Sequence, residues 1–221
     1  MVCHIQEAAT QAAEHGGFGR AMTTDGYHAF WMLTRVWYQL RRPLRWEEPL
    51  TIRTWHRGDK GATMYRDYDL FVDGEPVGEC VSAWVLASLD TRQIIRLATV
   101  HELDGTGGGE LCKSKKLSKL RLPQNLELAG RRKLRYSDTD LNGHVNNTRY
   151  ADFACDALEL EGLPEDRFLA EMQIGYLAEC RPGDCLDIQV GGKGDSRYVC
   201  GVDESGKSRF ESALFFGELL P

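Results

Sequence analysis

Tyr136-Ser137-Asp138-Thr139-Asp140-Leu141-Asn142-Gly143-His144-Val145-Asn146-Asn147 packs acids, amides and an imidazole into one stretch between two regular elements. Before it, Arg131 to Tyr136 reads as a basic, alternating strand. After it, Tyr150, Phe153, Ala154, Ala157 and Leu158 recur at i, i+3, i+4, i+7 and i+8, the apolar stripe of an amphipathic helix that closes near Gly162-Leu163-Pro164. A strand that enters a helix through such a turn is expected to set Asp140, Asn142 and His144 where the first free backbone N–H groups point outward, a place suited to an oxyanion. Single Asp and Asn residues ahead of a helix are ordinary caps, and Asp138, Asn146 and Asn147 are read that way. Capping needs one such side chain and not an alternating trio, so Asp140, Asn142 and His144 together carry a chemical reading.

Outward from this stretch the chain repeats its own grammar. Strands are expected at Thr34 to Leu40 and Leu50 to His56, then at Thr63 to Val72 and Val77 to Leu89, with Asp73-Gly74 as the hairpin turn between the last two. The second half runs strand, helix, strand, strand and hairpin, turning at Asp203-Glu204-Ser205-Gly206. Arg45-Trp46-Glu47-Glu48-Pro49-Leu50 answers Arg181-Pro182-Gly183-Asp184-Cys185-Leu186 in turn-then-strand character, and Val36-Trp37-Tyr38 answers Ile174-Gly175-Tyr176, which points to a diverged internal duplication. Ile5, Ala8, Ala9 and Ala12 form the first helix of that scheme, so Met1 falls about where Asn146 or Asn147 lies in the second copy. The first repeat is therefore expected to lack its leading strand. The organisation read from the sequence is a first repeat over residues 1–110, a basic connector over 111–130 and a second repeat over 131–221.

Composition narrows the function classes. A chain of 221 residues, 42% hydrophobic and 27% charged, has the make-up of a globular protein, and its longest apolar run, near Val81 to Leu89, is too short to span a bilayer. The N-terminus lacks a basic segment followed by an apolar core, so no secretory signal is read there. Seven scattered cysteines argue against a disulfide framework and a zinc knuckle, and a reducing cytoplasm is the expected home. His15, His28, His56 and His101 have no Cys or His partner at ligand spacing, so no metal is expected, and Gly107-Gly108-Gly109 lacks the Lys-Ser or Lys-Thr of a phosphate cradle. The five tryptophans read as core or pocket wall. A net charge of -6 argues against nucleic-acid binding. Lys113, Lys115, Lys116, Lys119, Arg121, Arg131, Arg132, Lys133 and Arg135 nevertheless cluster with only Glu127 against them, as a solvated connector or as a docking surface for an acidic partner.

The run Asp140-Leu141-Asn142-Gly143-His144-Val145-Asn146-Asn147, the following Tyr150, and Tyr176-Leu177-Ala178-Glu179-Cys180-Arg181-Pro182-Gly183-Asp184 resemble the acyl-ACP thioesterases of bacteria and plant plastids. Leu33-Thr34-Arg35-Val36, Arg42-Pro43, Thr54-Trp55, Arg66-Asp67 and Ser82-Ala83-Trp84-Val85 are similar to that family's noncatalytic repeat, so the likeness covers nearly the whole chain. It implies an α+β double hotdog, two antiparallel sheets each wrapped around a long helix, here at Val2 to His15 and Thr148 to Glu161. The N-terminal repeat would shape the acyl pocket and the C-terminal repeat would carry the chemistry. The implied partner is acyl carrier protein bearing a phosphopantetheine-linked acyl chain, with no nucleic acid, membrane span, metal or cofactor; a homodimer is compatible with the resemblance.

Thioester hydrolysis needs an activated water, donors for the carbonyl oxygen as it becomes anionic, and a proton for a weakly basic thiolate. Asn142 can donate an amide N–H, His144 can orient or deprotonate water, and Asp140 would hold one of them by hydrogen bonding. Two adjacent residues compete for the remaining role. The family pattern puts its acid at Glu179, while Cys180 beside it has the look of a nucleophile. Strand alternation groups Cys180 with Met172, Ile174, Tyr176 and Ala178, the fate of a small buried hydrophobe, although alternation often fails beside a turn such as Arg181-Pro182-Gly183-Asp184. Glu179 is favoured and Cys180 is kept. Two other functions stay open at this level, an acyl-CoA thioesterase and a noncatalytic acyl-binding hotdog protein.

Overall fold

The computed structural model describes residues 1–103 and 116–219, so the glycine run at 107–109 and the lysines Lys113 and Lys115 lie outside the described residues. The chain divides into two compact units, Met1–Tyr38 with Leu44–Leu117, and Gln39–Pro43 with Ser118–Pro221.

In the first unit, α1 (Val2–His15) buries Val2, Ile5 and Ala9, one stripe at helical spacing, and leaves its polar face to solvent. The strands are β1 (Ala29–Leu40), β2 (Leu50–Lys60), β3 (Thr63–Val72), β4 (Glu75–Ser88) and a short β5 (Ile94–Ile95), and the antiparallel order is β2-β3-β4-β1 with β5 on β4. Asp73 and Gly74 both have positive φ, 50° and 84°, as a tight two-residue hairpin requires. Tyr68, Leu70, Val81, Ala83 and Leu86 are among the sheet's buried side chains. β2 ends the order. Its ladder with β3 is interrupted by a bulge between His56 and Gly58, a feature that discourages further strand pairing at an edge.

The second unit contains β6 (Glu127–Lys133), α2 (Arg149–Ala157), β7 (Arg167–Tyr176), β8 (Cys185–Lys193), β9 (Ser196–Val202) and β10 (Ser208–Glu218), ordered β7-β10-β9-β8-β6. In the first unit β1 opens at Ala29 and not at Thr34, and β2 runs on past His56 to Lys60; in the second unit two further boundaries differ from the sequence expectation. The strand ahead of the polar turn runs from Glu127 to Lys133 and not from Arg131 to Tyr136, because residues 127–130 pair with β8 while Tyr136–Asp138 tighten into a 3-10 turn. The helix stops at Ala157 and not near Glu161, because Glu159 adopts a left-handed conformation and the chain resumes only as a 3-10 turn over Leu160–Gly162.

The two units share a turn at atomic detail. In the first, the Arg45 N–H donates to the Glu48 carboxylate at 2.8 Å and the Glu48 N–H returns to the Arg45 carbonyl at 3.4 Å. In the second, the Arg181 N–H donates to Asp184 at 2.8 Å and the Asp184 N–H to the Arg181 carbonyl at 3.1 Å. The residue before each acid has positive φ, 69° at Glu47 and 98° at Gly183.

The basic connector is not simply solvated. Lys116, Lys119 and Arg121 are exposed, yet the backbone between them is fastened to the second sheet. The Gln173 side chain donates to the Ser118 carbonyl at 2.7 Å, and the Leu120 N–H donates to Glu211 at 3.2 Å. Gln173 and Glu211 are both buried, on the neighbouring strands β7 and β10. Glu211→Ala should therefore leave an amide unpaired and lower the unfolding free energy by about 1–3 kcal/mol. Glu211→Gln, which keeps an acceptor, should lose much less in the same urea titration. No helix among the described residues is long and apolar enough to cross a membrane.

Candidate active site

The polar turn is built from the bottom by backbone pairing. Leu134 extends the β6 ladder, exchanging hydrogen bonds with Gly183 and Asp184, and the chain then tightens over Arg135 to Asp138. Asp138 is the anchor of this turn. One carboxylate oxygen accepts the Arg135 N–H at 2.8 Å, and the other faces the Arg149 guanidinium at 3.3 Å and that of Arg132 at 3.9 Å. The carboxyl group is only 5% exposed, so its role is structural, as its position ahead of a helix led us to expect.

Thr139 and Val145 pair across a small hairpin whose tip carries Leu141 and Asn142. The Asp140 N–H donates to the His144 carbonyl at 2.9 Å and the Gly143 N–H to the Asp140 carbonyl at 3.1 Å, with Gly143 at φ +76°, a conformation that favours glycine. Asp140 Oδ1 accepts the Asn142 backbone N–H at 2.8 Å, so Asp140 shapes the turn through the main chain and bonds neither the Asn142 carboxamide nor the imidazole. That carboxamide is exposed and makes no hydrogen bond among the described residues, which leaves it available to a ligand.

His144 is the side chain that meets a second chemical group. Its Nε2 lies 3.3 Å from Glu179 Oε2, with side-chain exposures of 17% and 41%. The segment that brings Glu179 here leaves the strand immediately after β7. The Leu177 and Ala178 N–H groups both donate to the Arg209 carbonyl, at 2.9 and 3.2 Å, so the regular ladder ends. Beyond this irregularity Glu179 is exposed toward His144 and Cys180 is buried at 1% exposure. Burial pushes the Cys180 thiol up, and the Tyr150 hydroxyl and Arg209 only partly oppose that shift. Such a thiol holds little thiolate at neutral pH.

Of the backbone donors at the helix start, expected to serve an oxyanion, those of Thr148 and Arg149 are already used. α2 begins at Arg149, and Asn146 takes the preceding amides: its side-chain oxygen accepts from the Thr148 N–H and hydroxyl, each at 2.9 Å, and its carbonyl accepts from the Arg149 N–H at 2.9 Å. Asn146 is thus a turn former.

Two arginines escaped the sequence reading. Arg181 Nη2 lies 3.5 Å from His144 Nε2, and Arg209 Nη1 donates to the Glu179 carbonyl at 3.4 Å. The position of Arg181, two residues after Glu179 in the same turn, was a usable signal. Arg209 carried none, since it arrives from β10. Its guanidinium is held by Asp203, whose carboxyl is kept well below the usual range by the Lys207 N–H and by Ser205.

A cleft of about 330 Å³ in the second unit is lined in part by Leu160, Leu163, Arg167 and Phe216 and includes none of Asn142, His144 or Glu179. The grouping of reactive side chains, and not this concavity, identifies the candidate site. Among the described residues no group of three or more His, Cys, Asp or Glu side chains could hold a metal ion.

The chain matches the acyl-ACP thioesterase N-terminal domain over residues 1–101 and the acyl-ACP thioesterase C-terminal domain over residues 125–210. It is 26% identical over 191 residues to the chloroplastic oleoyl-acyl carrier protein thioesterase 2 of Arabidopsis thaliana, covering 77% of this chain and 50% of that protein. It is 25% identical over 219 residues to the chloroplastic dodecanoyl-[acyl-carrier-protein] hydrolase of Cinnamomum camphora, covering 89% and 56%. The chain thus spans about half the length of the curated relatives it matches. Among solved structures, an acyl-ACP thioesterase from Bacteroides thetaiotaomicron superposes with a TM-score of 0.86 at 24% identity, covering 97% of this chain and 87% of that one. The 12:0-ACP thioesterase from Umbellularia californica gives 0.82 at 21% identity, covering 98% and 88%. At these identities the structural likeness speaks for the fold alone.

Proposed function

Because the chain belongs to the acyl-ACP thioesterase family, we propose that it hydrolyses fatty acyl-ACP thioesters to free fatty acid and carrier protein. The observation that carries this reading is the contact between His144 and Glu179, in a turn whose Asn142 carboxamide, two residues before the imidazole, makes no hydrogen bond among the described residues. The fold is read as a double hotdog, with α1 and α2 as the helices that the two sheets wrap and the second unit as the catalytic repeat. Two features support that reading: the Arg-x-x-acid turn present in both units, and β6 on the edge of β8 with no counterpart beside β2 among the described residues.

In this mechanism Glu179 and His144 together take the proton of an attacking water, and the carboxylate balances the imidazolium that results. Asn142 donates its amide N–H to the thioester oxygen as charge builds there. The departing thiolate is weakly basic, so proton donation to it asks little of the site. Cys180 is assigned no nucleophilic role, since its buried thiol is held protonated. Asp140 shapes the turn.

The docking reading of the basic segment becomes more selective. Arg131 is engaged by Glu204 and Asp187, and Arg132 by Asp156 and Asp138, so much of their charge is balanced within the unit. The exposed Lys116 and Lys119 are better placed to attract an acidic carrier protein. Reversing both to Glu should lower kcat/KM for acyl-ACP severalfold and flatten its salt dependence, with a smaller change for acyl-CoA. Equal losses on the two substrates would remove the carrier-protein preference. The decisive assay compares acyl-ACP with acyl-CoA across matched chain lengths. Faster CoA hydrolysis at every length would favour the acyl-CoA thioesterase reading, and no hydrolysis of either series would favour a noncatalytic acyl-binding protein.

A further inference from the structure

Arg181 opens the corner that runs to Asp184, yet its side chain takes no part in it. Main-chain groups close the corner: the Arg181 N–H donates to the Asp184 carboxylate at 2.8 Å and the Arg181 carbonyl accepts the Asp184 N–H at 3.1 Å. Arg45 closes the first corner in the same way. The Arg181 guanidinium is exposed and makes no ion pair among the described residues. Three neighbouring arginines are balanced instead, Arg209 by Asp203 at 2.6 Å, Arg149 by Asp138 and Asp152, and Arg132 by Asp156 and Asp138. The neighbour that the Arg181 side chain does have is His144, whose Nε2 lies 3.5 Å from Nη2.

That nitrogen also lies 3.3 Å from Glu179 Oε2. A guanidinium can only donate and an ionised carboxylate can only accept, so the two neighbours ask opposite things of one atom. The bare nitrogen suits Arg181, and the protonated one suits Glu179. An approach of 3.5 Å is long for a hydrogen bond, so the imidazole occupies little of the guanidinium's donor capacity. Once His144 takes a proton at Nε2 it cannot accept from Arg181 at all, and the guanidinium is released as negative charge appears on the thioester oxygen. The distances suit that exchange. A water that gives its proton to Nε2 sits about 3 Å from it, and the carbon it attacks lies about 3–3.5 Å further on. The oxygen on that carbon therefore forms within the span of a guanidinium whose nearer nitrogen already stands 3.5 Å from Nε2. Donors for it are otherwise scarce, since the Thr148 and Arg149 amides are spent on Asn146 and Asn142 offers one carboxamide.

Resting on the thioesterase reading above, we propose that Arg181 is a further catalytic residue, the cationic donor that joins Asn142 in holding the thioester oxygen as it becomes an anion. The water oxygen bonds to the carbonyl carbon, the carbonyl electron pair moves onto its oxygen, and the water proton passes to His144 beside Glu179. Asn142 and Arg181 hold the resulting anion. Its collapse re-forms the carbonyl and expels the thiolate. Arg181 keeps its own protons throughout, as a guanidinium does at any working pH. The arrangement also accounts for an arginine left without a carboxylate beside the reacting groups: a paired guanidinium would have little left to offer an anion that exists only in passage.

The test uses Arg181→Ala with two substrates, an octanoyl carrier-protein thioester and the octanoyl thioester of N-acetylcysteamine, which keeps the reacting group and drops the carrier and its phosphate. On the carrier-protein substrate kcat should fall about 100-fold while KM changes less than about threefold, and kcat/KM should fall by the same factor on the small thioester. Millimolar ethylguanidinium should restore the variant at least about tenfold and leave the wild-type chain unchanged. An arginine that only docks the carrier would raise KM for that substrate alone and spare the small one, and that result overturns the proposal. A loss on both substrates that ethylguanidinium does not relieve marks an arginine needed for structure and overturns it too, as do unchanged kinetic constants. Should Arg181→Ala fail to fold by thermal melting, Arg181→Ser takes its place in the same assays with the same outcomes. Failure of the wild-type chain to hydrolyse either thioester is a separate result, which removes the thioesterase reading and the proposal resting on it.

Discussion

Glu179→Gln is expected to lower kcat on an acyl-ACP substrate by about 100-fold or more, the scale on which removal of a general base is felt. The amide has nearly the shape of the carboxylate, so packing and the 3.3 Å approach to His144 should survive while basicity and negative charge are lost. His144→Ala should do comparable damage, because the ring lies 3.3 Å from the carboxylate and also neighbours the Arg181 guanidinium. The contrast lies one residue on. Cys180→Ser should retain most of kcat, since the buried thiol takes no part in the attack on the thioester, and quenching during turnover should trap no acyl adduct on the protein. An acylated Cys180 together with an active Glu179→Gln enzyme would transfer the chemistry to the thiol.

Asp138→Ala is expected to produce the largest loss of stability in the second unit, about 2–3 kcal/mol. The carboxylate is 5% exposed and uses both oxygens, on the Arg135 N–H and on the guanidiniums of Arg149 and Arg132. Its removal leaves a turn amide unpaired and a cationic pair without its anion. Arg149 keeps Asp152 at 2.6 Å and Arg132 keeps Asp156 at 2.9 Å, which holds the loss below that of an isolated buried pair. Urea unfolding measures it directly, and a loss below about 0.5 kcal/mol would mean that solvent already screens the cluster.

Local signals served the sequence reading well where the structure is local. The α1 stripe ends where Ile5 and Ala9 end as buried residues, and Asp73-Gly74 turns between β3 and β4 as two consecutive positive φ angles demand. Reading failed where distant chain decides. Glu127-Leu128-Ala129-Gly130 has no alternation and is exposed throughout, and it becomes strand only because β8 pairs with it. Leu158 continues the apolar period of α2, yet Glu159 turns left-handed and ends the helix. At the site, alternation foresaw the burial of Cys180, and the resemblance pointed to Glu179. Neither could supply Arg209, which sits 30 residues further along the chain.

The twin turns at Arg45 to Glu48 and Arg181 to Asp184 have a consequence for how this molecule can change. A chain that carries the same corner twice inherits a spare. In the second corner, Glu179 stands two residues before the arginine and lies against His144, so on the catalytic role proposed above drift there would cost activity as well as folding. In the first corner the corresponding position is Pro43, Trp46 stands 92% exposed, and a glutamate occupies the left-handed position that the second corner gives to glycine. Those are the marks of a copy free to wander as long as it still turns. Under the proposed division of roles, new specificity can be explored in the first repeat while the second holds the chemistry still.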